Sequence, residues 1–234
     1  MTLSALRVAI IVFPGSNCDR DMMLAIEQLT SRRPALVWYK ETSLDAADLV
    51  IIPGGFSFGD YLRCGALAGR SPIMNAVLDH AARGGAVMGI CNGFQILTET
   101  GMVPGVLIRN ACLKFSCRNV GLQLCETLAS PFTAGLDFGE DLTIPIAHNE
   151  GNYFADADEL DRIEGNGQVV FRYAKSDAVG PVNPNGASRD IAGVLSSNGR
   201  ILGMMPHPER AMYKLHGGTD GAKFLLKSLE ALVS

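Results

Sequence analysis

The sequence predicts an α/β domain whose parallel sheet has been extended by antiparallel strands. Three observations carry this. Short continuous apolar runs, rich in β-branched residues, have the character of strands covered on both faces. In the first half these runs alternate with segments of helical spacing, as parallel strands require for their crossovers. In the second half strand-like runs follow one another with no helix between them, which suits antiparallel pairing.

The run RVAIIVF (7–13) ends at Pro14-Gly15 and predicts a buried strand. A helix over 19–32 follows from the spacing of Met22, Ile26 and Leu29. ALVWYK (35–40) and DLVIIPGG (48–55) predict the next two strands, the second closed by Pro-Gly-Gly. A helix over 72–85 ends near Gly84, a C-terminal stop. AVMGI (86–90) predicts a fourth strand, and residues 92–101 a short helix stopped by Gly101. Beyond it, 115–126, 141–148 and 167–174 read as strands, and 176–190 as a loop. Residues 190–206 form a hairpin turning on Ser-Asn-Gly, and 217–233 a terminal amphipathic helix. With no internal repeat or low-complexity linker, the expectation is one domain over 1–234.

Composition narrows the function classes. Of 234 residues, 47% are hydrophobic and 19% charged, enough apolar material for a substantial core. The formal net charge is −4 and no Lys/Arg cluster appears, which argues against a nucleic-acid partner. No apolar run of about 20 residues argues for a membrane span. MTLSAL passes straight into RVAIIVF without the basic region and cleavage site of a signal peptide, so the expected location is cytoplasmic. The six cysteines are then expected as reduced thiols, and without a CxxC pair no metal cluster is expected.

One cysteine stands in a chemical context. Gly89-Ile90-Cys91-Asn92-Gly93 places Cys91 between a buried strand and a helix, where ligands bind in an open α/β sheet. Gly-x-Cys-x-Gly is similar to the Gly-x-Ser-x-Gly elbow that exposes a nucleophile on a sharp strand-to-helix turn. Flanking glycines relieve crowding there, and the helix N-terminus favours a thiolate. A buried cysteine is also an ordinary inert core residue. On this stretch alone the two readings stand level.

A thiol nucleophile needs a base, a group to orient it and an oxyanion hole. Of the four histidines, His80 lies in a predicted helix and is expected at the solvent face, while His216 is in a loop. His207, in GMMPHPER, follows the last hairpin strand between two prolines, with Glu209 two residues on in an extended segment. Alone, HPE reads as a surface turn; beside a nucleophile elbow it supplies base and orienting carboxylate. The N–H of Asn92 offers one oxyanion donor, and the glycine-rich PGGFSFGD loop (53–60) offers another.

These three pieces, in this order, resemble the class I (triad) glutamine amidotransferases. The resemblance implies a flavodoxin-like open, mostly parallel sheet flanked by helices. It implies Cys91 as nucleophile, His207 as base and acid, and Glu209 as its partner. Gly55 and Asn92 would donate to the oxyanion, and Gln95 would help hold L-glutamine. VFPGSNCDRD (12–21), GGFSFGDYLRCGALA (54–68), LIRN (107–110), FSCR (115–118), IAHNEGNY (146–153) and MMPHPER (204–210) further resemble the glutaminase subunits of phosphoribosylformylglycinamidine synthases. Asn149 stands where that family often has glycine, and no role is matched to Ala111 or Cys112.

The resemblance implies hydrolysis of glutamine through a Cys91 thioester. The ammonia would pass to a synthetase subunit that aminates formylglycinamide ribonucleotide in purine biosynthesis, with a small third subunit in the assembly. ATP and Mg are expected on the synthetase; this chain has no Walker motif and needs no cofactor of its own. Arg63, His148 and Glu150 could face the partner or the ammonia path; a solvated turn is the competing reading of His148 and Glu150. Three rivals stand against this function: a catalytically silent scaffold of the same fold, a free-standing thiol hydrolase, and the glutaminase of another amidotransferase pathway.

Overall fold

The structure, a computed structural model, describes residues 1–61, 63–176 and 180–234; residues 177–179 of the expected 176–190 loop lie outside the described ones. The elements in chain order are β1 (Val8–Val12), α1 (Asp19–Thr30), β2 (Ala35–Trp38), β3 (Leu49–Ile52), α2 (Pro72–Ala82), β4 (Ala86–Ile90), α3 (Asn92–Glu99) and β5 (Val106–Ile108). They continue with β6 (Ser116–Leu124), β7 (Asp141–His148), β8 (Asn152–Phe154), α4 (Ala157–Gly165), β9 (Val169–Ala174), β10 (Ile191–Leu195), β11 (Ile201–Met204) and α5 (Asp220–Val233).

Nine strands form one sheet in the order β2-β1-β3-β4-β11-β10-β9-β6-β7. The five strands from β2 to β11 run parallel, and the remaining pairings are antiparallel. The apolar runs behave as parallel strands should: every residue of β3, β4 and β11 is buried. In the antiparallel half β7 alternates between buried and less buried positions, the period-two pattern of a strand with one covered face. The 190–206 hairpin folds as expected, with Gly193 opposite Met204. The core is continuous across the sheet and joins Ile10, Ile51 and Met88 to Val120, Ile144 and Phe171.

The strand order decides where chemistry can occur. β1, β3, β4 and β11 are neighbours and point the same way, so their carboxyl ends emerge at one edge. Pro14-Gly15, Pro53-Gly54-Gly55, Cys91 and His207 all follow those ends.

Three expectations are corrected, and a small second sheet is added. A helix, α4, separates β7 from β9, where an uninterrupted run of strands was expected. Asp156 caps it by accepting the Glu159 N–H at 2.9 Å, a cap signal written in the sequence as Asp-x-x-Glu. The short pair β5–β8 forms a separate two-stranded sheet. His80 is not at the solvent face: it is 7% exposed, and its Nε2 meets the Ala86 carbonyl at 3.2 Å. Gly85 leaves the space, since a Cβ there would lie 2.2 Å from the ring. Residues 208–210 curl into a single 3-10 turn instead of staying extended.

Candidate active site

Cys91 has φ 51° and ψ −105°, a conformation costly for any residue with a side chain. The turn is held from both sides. The Cys91 N–H donates to the Met204 carbonyl at 2.8 Å, and its own carbonyl accepts the Gln95 N–H at 3.1 Å. Gly93 is needed because a Cβ there would fall 1.9 Å from the Ile52 carbonyl oxygen, and a Cβ on Gly89 would strike the Gly93 backbone at 2.8 Å. The flanking glycines therefore serve close approach, as their spacing around the cysteine predicts. The thiol donates to the Ala147 carbonyl at 3.6 Å.

His207 and Glu209 meet this thiol from the end of β11. His207 Nδ1 and Glu209 Oε1 are 2.6 Å apart, with both side chains buried. The His207 N–H donates to the Pro145 carbonyl on β7 at 2.8 Å, which ties the turn to the antiparallel half. Burial opposes the imidazolium, but the charges of Glu209 and Cys91 outweigh it and hold His207 well above its ordinary pKa. Among the described residues, His207 Nε2 and Glu209 Oε2 are buried with no hydrogen-bond partner. An orphaned ring nitrogen lining the same cavity as the thiol suits a group that exchanges a proton with a ligand.

The oxyanion candidates occupy suitable positions. Asn92 opens α3, so its N–H has no partner one turn earlier. Gly55 bridges to Ser16 through flanking bonds, from Phe56 N–H to Gly15 and from Cys18 N–H to Gly54. That pattern turns the Gly55 N–H away from Ser16. A Cβ at Gly55 would lie 2.8 Å from the Gly15 carbonyl oxygen, so the close approach demands glycine. The Asn92 side chain holds this loop to α3 by accepting the Ser57 N–H at 3.1 Å.

Cys91, Gly55, Gln95 and His207 line one cavity of about 360 Å³. Gln95 is committed at both ends of its amide: Oε1 accepts from Asn92 at 2.8 Å and Nε2 donates to the Glu150 carbonyl at 2.7 Å. Its visible task is to hold the 147–150 segment against α3. His148 ends β7 and is buried, so the solvated-turn reading does not hold for it. Its Nδ1 lies 3.1 Å from Asn110 Oδ1, which also accepts the Gly151 N–H at 3.0 Å. Burial, with the positive charge of His207 nearby, lowers its pKa to about 3, so it is neutral at ordinary pH. Glu150 lines the cavity. Arg63 does not: it forms a surface ion pair with Glu99 at 2.6 Å.

Several residues here carried no role in the sequence reading. Cys18 is buried beside His207 and accepts from Arg210 at 2.9 Å. Asp60, Cys64 and Arg109 line the cavity, and Asn110 braces its wall. The only available signal was their membership of FPGSNCD, GDYLRCG and LIRN, since no chain-local pattern places them at the thiol. Ligand atoms of Cys18, His207 and Glu209 lie within 4.8 Å of one another, the spacing of a metal-ligand set. Arg210 already sets a cation against Cys18, and the His207–Glu209 bond engages the ring, so the group fits a metal poorly.

Comparison with known proteins shows the family of the chain. The family pattern of CobB/CobQ-like glutamine amidotransferase domains matches residues 5–219. The phosphoribosylformylglycinamidine synthase subunit PurQ of Roseobacter denitrificans is 56% identical over 217 residues, covering 92% of this chain and 94% of that one. The PurQ subunit of Novosphingobium aromaticivorans is 53% identical, covering 96% and 97%. Among solved structures, PurLQS from Thermotoga maritima aligns with a TM-score of 0.85 at 43% identity, covering 96% of this chain and 98% of that one.

Proposed function

Because this chain belongs to the CobB/CobQ-like glutamine amidotransferases, and within them to the PurQ subunits of phosphoribosylformylglycinamidine synthase, we propose that residues 1–234 act as one glutaminase domain with Cys91 as nucleophile. The observation that carries the reading is the buried His207–Glu209 pair, with its free Nε2 facing the cavity of a strained cysteine.

With its proton held on His207, the Cys91 thiolate attacks the side-chain amide carbon of L-glutamine. The N–H groups of Gly55 and Asn92 receive the charge that develops on the oxygen. His207, held protonated by Glu209, gives its proton to the departing nitrogen and ammonia leaves. Water, deprotonated by His207, then attacks the thioester; glutamate departs and the thiol is restored. Glu209 stabilises the imidazolium and fixes its orientation.

As a PurQ subunit, the chain works in purine biosynthesis with a PurL synthetase, in an assembly of the PurLQS kind. ATP and Mg are assigned to that partner, which uses the ammonia to convert formylglycinamide ribonucleotide to the amidine. No cofactor is assigned to this chain, and a cytoplasmic location fits a soluble biosynthetic role. Among the described residues no helix is long and apolar enough to cross a membrane.

Labelling with a diazo-ketone analogue of glutamine tests the assignment. Covalent label is expected on Cys91, with ammonia release low in the isolated chain and high in the complex. Label on Cys18 or Cys64, which share the cavity, would overturn the nucleophile. Fast turnover by the isolated chain would overturn the dependence on a partner.

A further inference from the structure

The cavity at Cys91 carries a second chemistry that the acyl-transfer steps do not use. Asp60 and Glu150 both line it, from different segments of the chain. Both are placed by residues next to the nucleophile. The Gln95 side chain, one helical turn past Cys91, grips the Glu150 carbonyl at 2.7 Å, and the Asn92 side chain reaches Asp60 Oδ1 at 3.4 Å. Ala147, whose carbonyl meets the Cys91 sulfur, is three residues before Glu150.

The charge of Glu150 is felt at Asp60. Burial and then the charge of Glu150 push the Asp60 carboxyl above its usual range, after allowing for a hydrogen bond from Cys64 that works the other way. The Cys64 thiol between them is held neutral by burial and by both acids. Of the cations lining the cavity, His207 is engaged by Glu209 and Arg210 by Cys18, which leaves Arg109. Arg109 Nε is 3.9 Å from Glu150 Oε1 on a side chain 71% exposed, a geometry that contributes little. Two acids sharing a partly buried cavity repel unless a cation enters between them. The buried Nε2 of His207, which has no partner among the described residues, marks the same cavity as built for a ligand.

Free glutamine carries that cation three carbons from the amide carbon that Cys91 attacks. We propose that the carboxylates of Asp60 and Glu150 receive the α-ammonium group of the substrate, and so select free glutamine over glutamine whose amino group is acylated or missing. This rests on the glutaminase reading. Arg109, on the same wall, offers the opposite charge to the α-carboxylate. Gln95 is then a positioning residue for the site, acting through Glu150. The arrangement also separates this chain from a peptidase on the same fold, because the nitrogen of a peptide-linked glutamine is uncharged.

The test uses the complete complex with its synthetase and third subunit. Glu150→Gln and Asp60→Asn keep shape and remove charge. Glutaminase kinetics are measured with L-glutamine and with 5-amino-5-oxopentanoate, which is glutamine without its α-amino group. Each variant is expected to raise KM for glutamine by about tenfold or more with kcat little changed. The preference for glutamine over the des-amino analogue should fall by a similar factor. Amination driven by added ammonium chloride reports an intact assembly. An unchanged preference, or an equal loss on both substrates, overturns the proposal and leaves the glutaminase reading standing. A wild-type complex that does not turn over glutamine overturns both.

Discussion

At the residue scale the site depends on one charge pair in a dry place. Burial alone would strip the proton from His207; Glu209, 2.6 Å away, and the sulfur of Cys91 reverse that outcome. The raised pKa stabilises the fold fully below the ordinary imidazole value, and that contribution fades as pH rises through the raised one. Glu209→Gln removes the main opposing charge, so the imidazolium is lost at a lower pH. The variant complex is expected to lose roughly a thousandfold or more in kcat. The alkaline limb of its kcat/KM profile should also move toward acid. A profile that loses height without moving would mean that Glu209 acts only through packing.

At the element scale the proposed triad of Cys91, His207 and Glu209 is assembled by pieces far apart in the chain. The turn carrying His207 and Glu209 leans on α5: a Cβ on Gly221 would fall 2.0 Å from the Pro208 carbonyl oxygen. Gly221→Ala must therefore push α5 off that turn or tilt the turn itself. Displacements of about 1 Å at a reacting group can cost around a hundredfold in rate, so glutaminase activity is expected to fall by about 10–100-fold. Gly84→Ala is the comparison. Gly84 sits at φ 83° with open space around its missing Cβ, so the cost is the left-handed backbone alone, about 1 kcal/mol. Its melting temperature should drop by a few degrees with kcat unchanged. Equal activity losses in the two variants would contradict the coupling of α5 to the triad.

For the whole molecule, the polar network behind the cavity sets a limit toward acid. His148, Asn110 and Asn185 join β7, the segment after β5 and the loop before β10. His148 has its pKa lowered to about 3, chiefly by burial. The unfolded chain binds this proton near pH 6.5 and the folded chain only near pH 3, so stability falls as pH drops across that interval. Asp48, held below the usual carboxylate range by the Arg7 guanidinium, adds its loss only below the unfolded carboxylate value. The urea midpoint of the chain is thus expected to decline from pH 7 to pH 4, and His148→Gln should flatten that decline. An equally steep decline in the variant would remove His148 as its source.

Several features of this protein were legible in the residues themselves. The parallel strands announce themselves because a strand covered on both faces is apolar throughout, as in Leu49–Ile52. The elbow is legible because its crowding tolerates only glycine at 89 and 93. Asn92 follows as the residue after the nucleophile and the 53–60 loop from its glycines, while Gly55 within that loop is what the family resemblance implies. The α4 helix was legible too, through Asp156 and Glu159, although the strands on either side obscured it. What the tertiary structure alone decided is which distant residues share the cavity. Cys18 reaches His207 across 189 positions only because β1 and β11 emerge at the same sheet edge. Asp60 and Glu150 line one cavity, and His148 is buried on Asn110 where a solvated turn was equally open, for the same kind of reason. Periodicity and turn chemistry are local and can be read along a chain. Charge, burial and proton affinity belong to neighbours that only packing supplies.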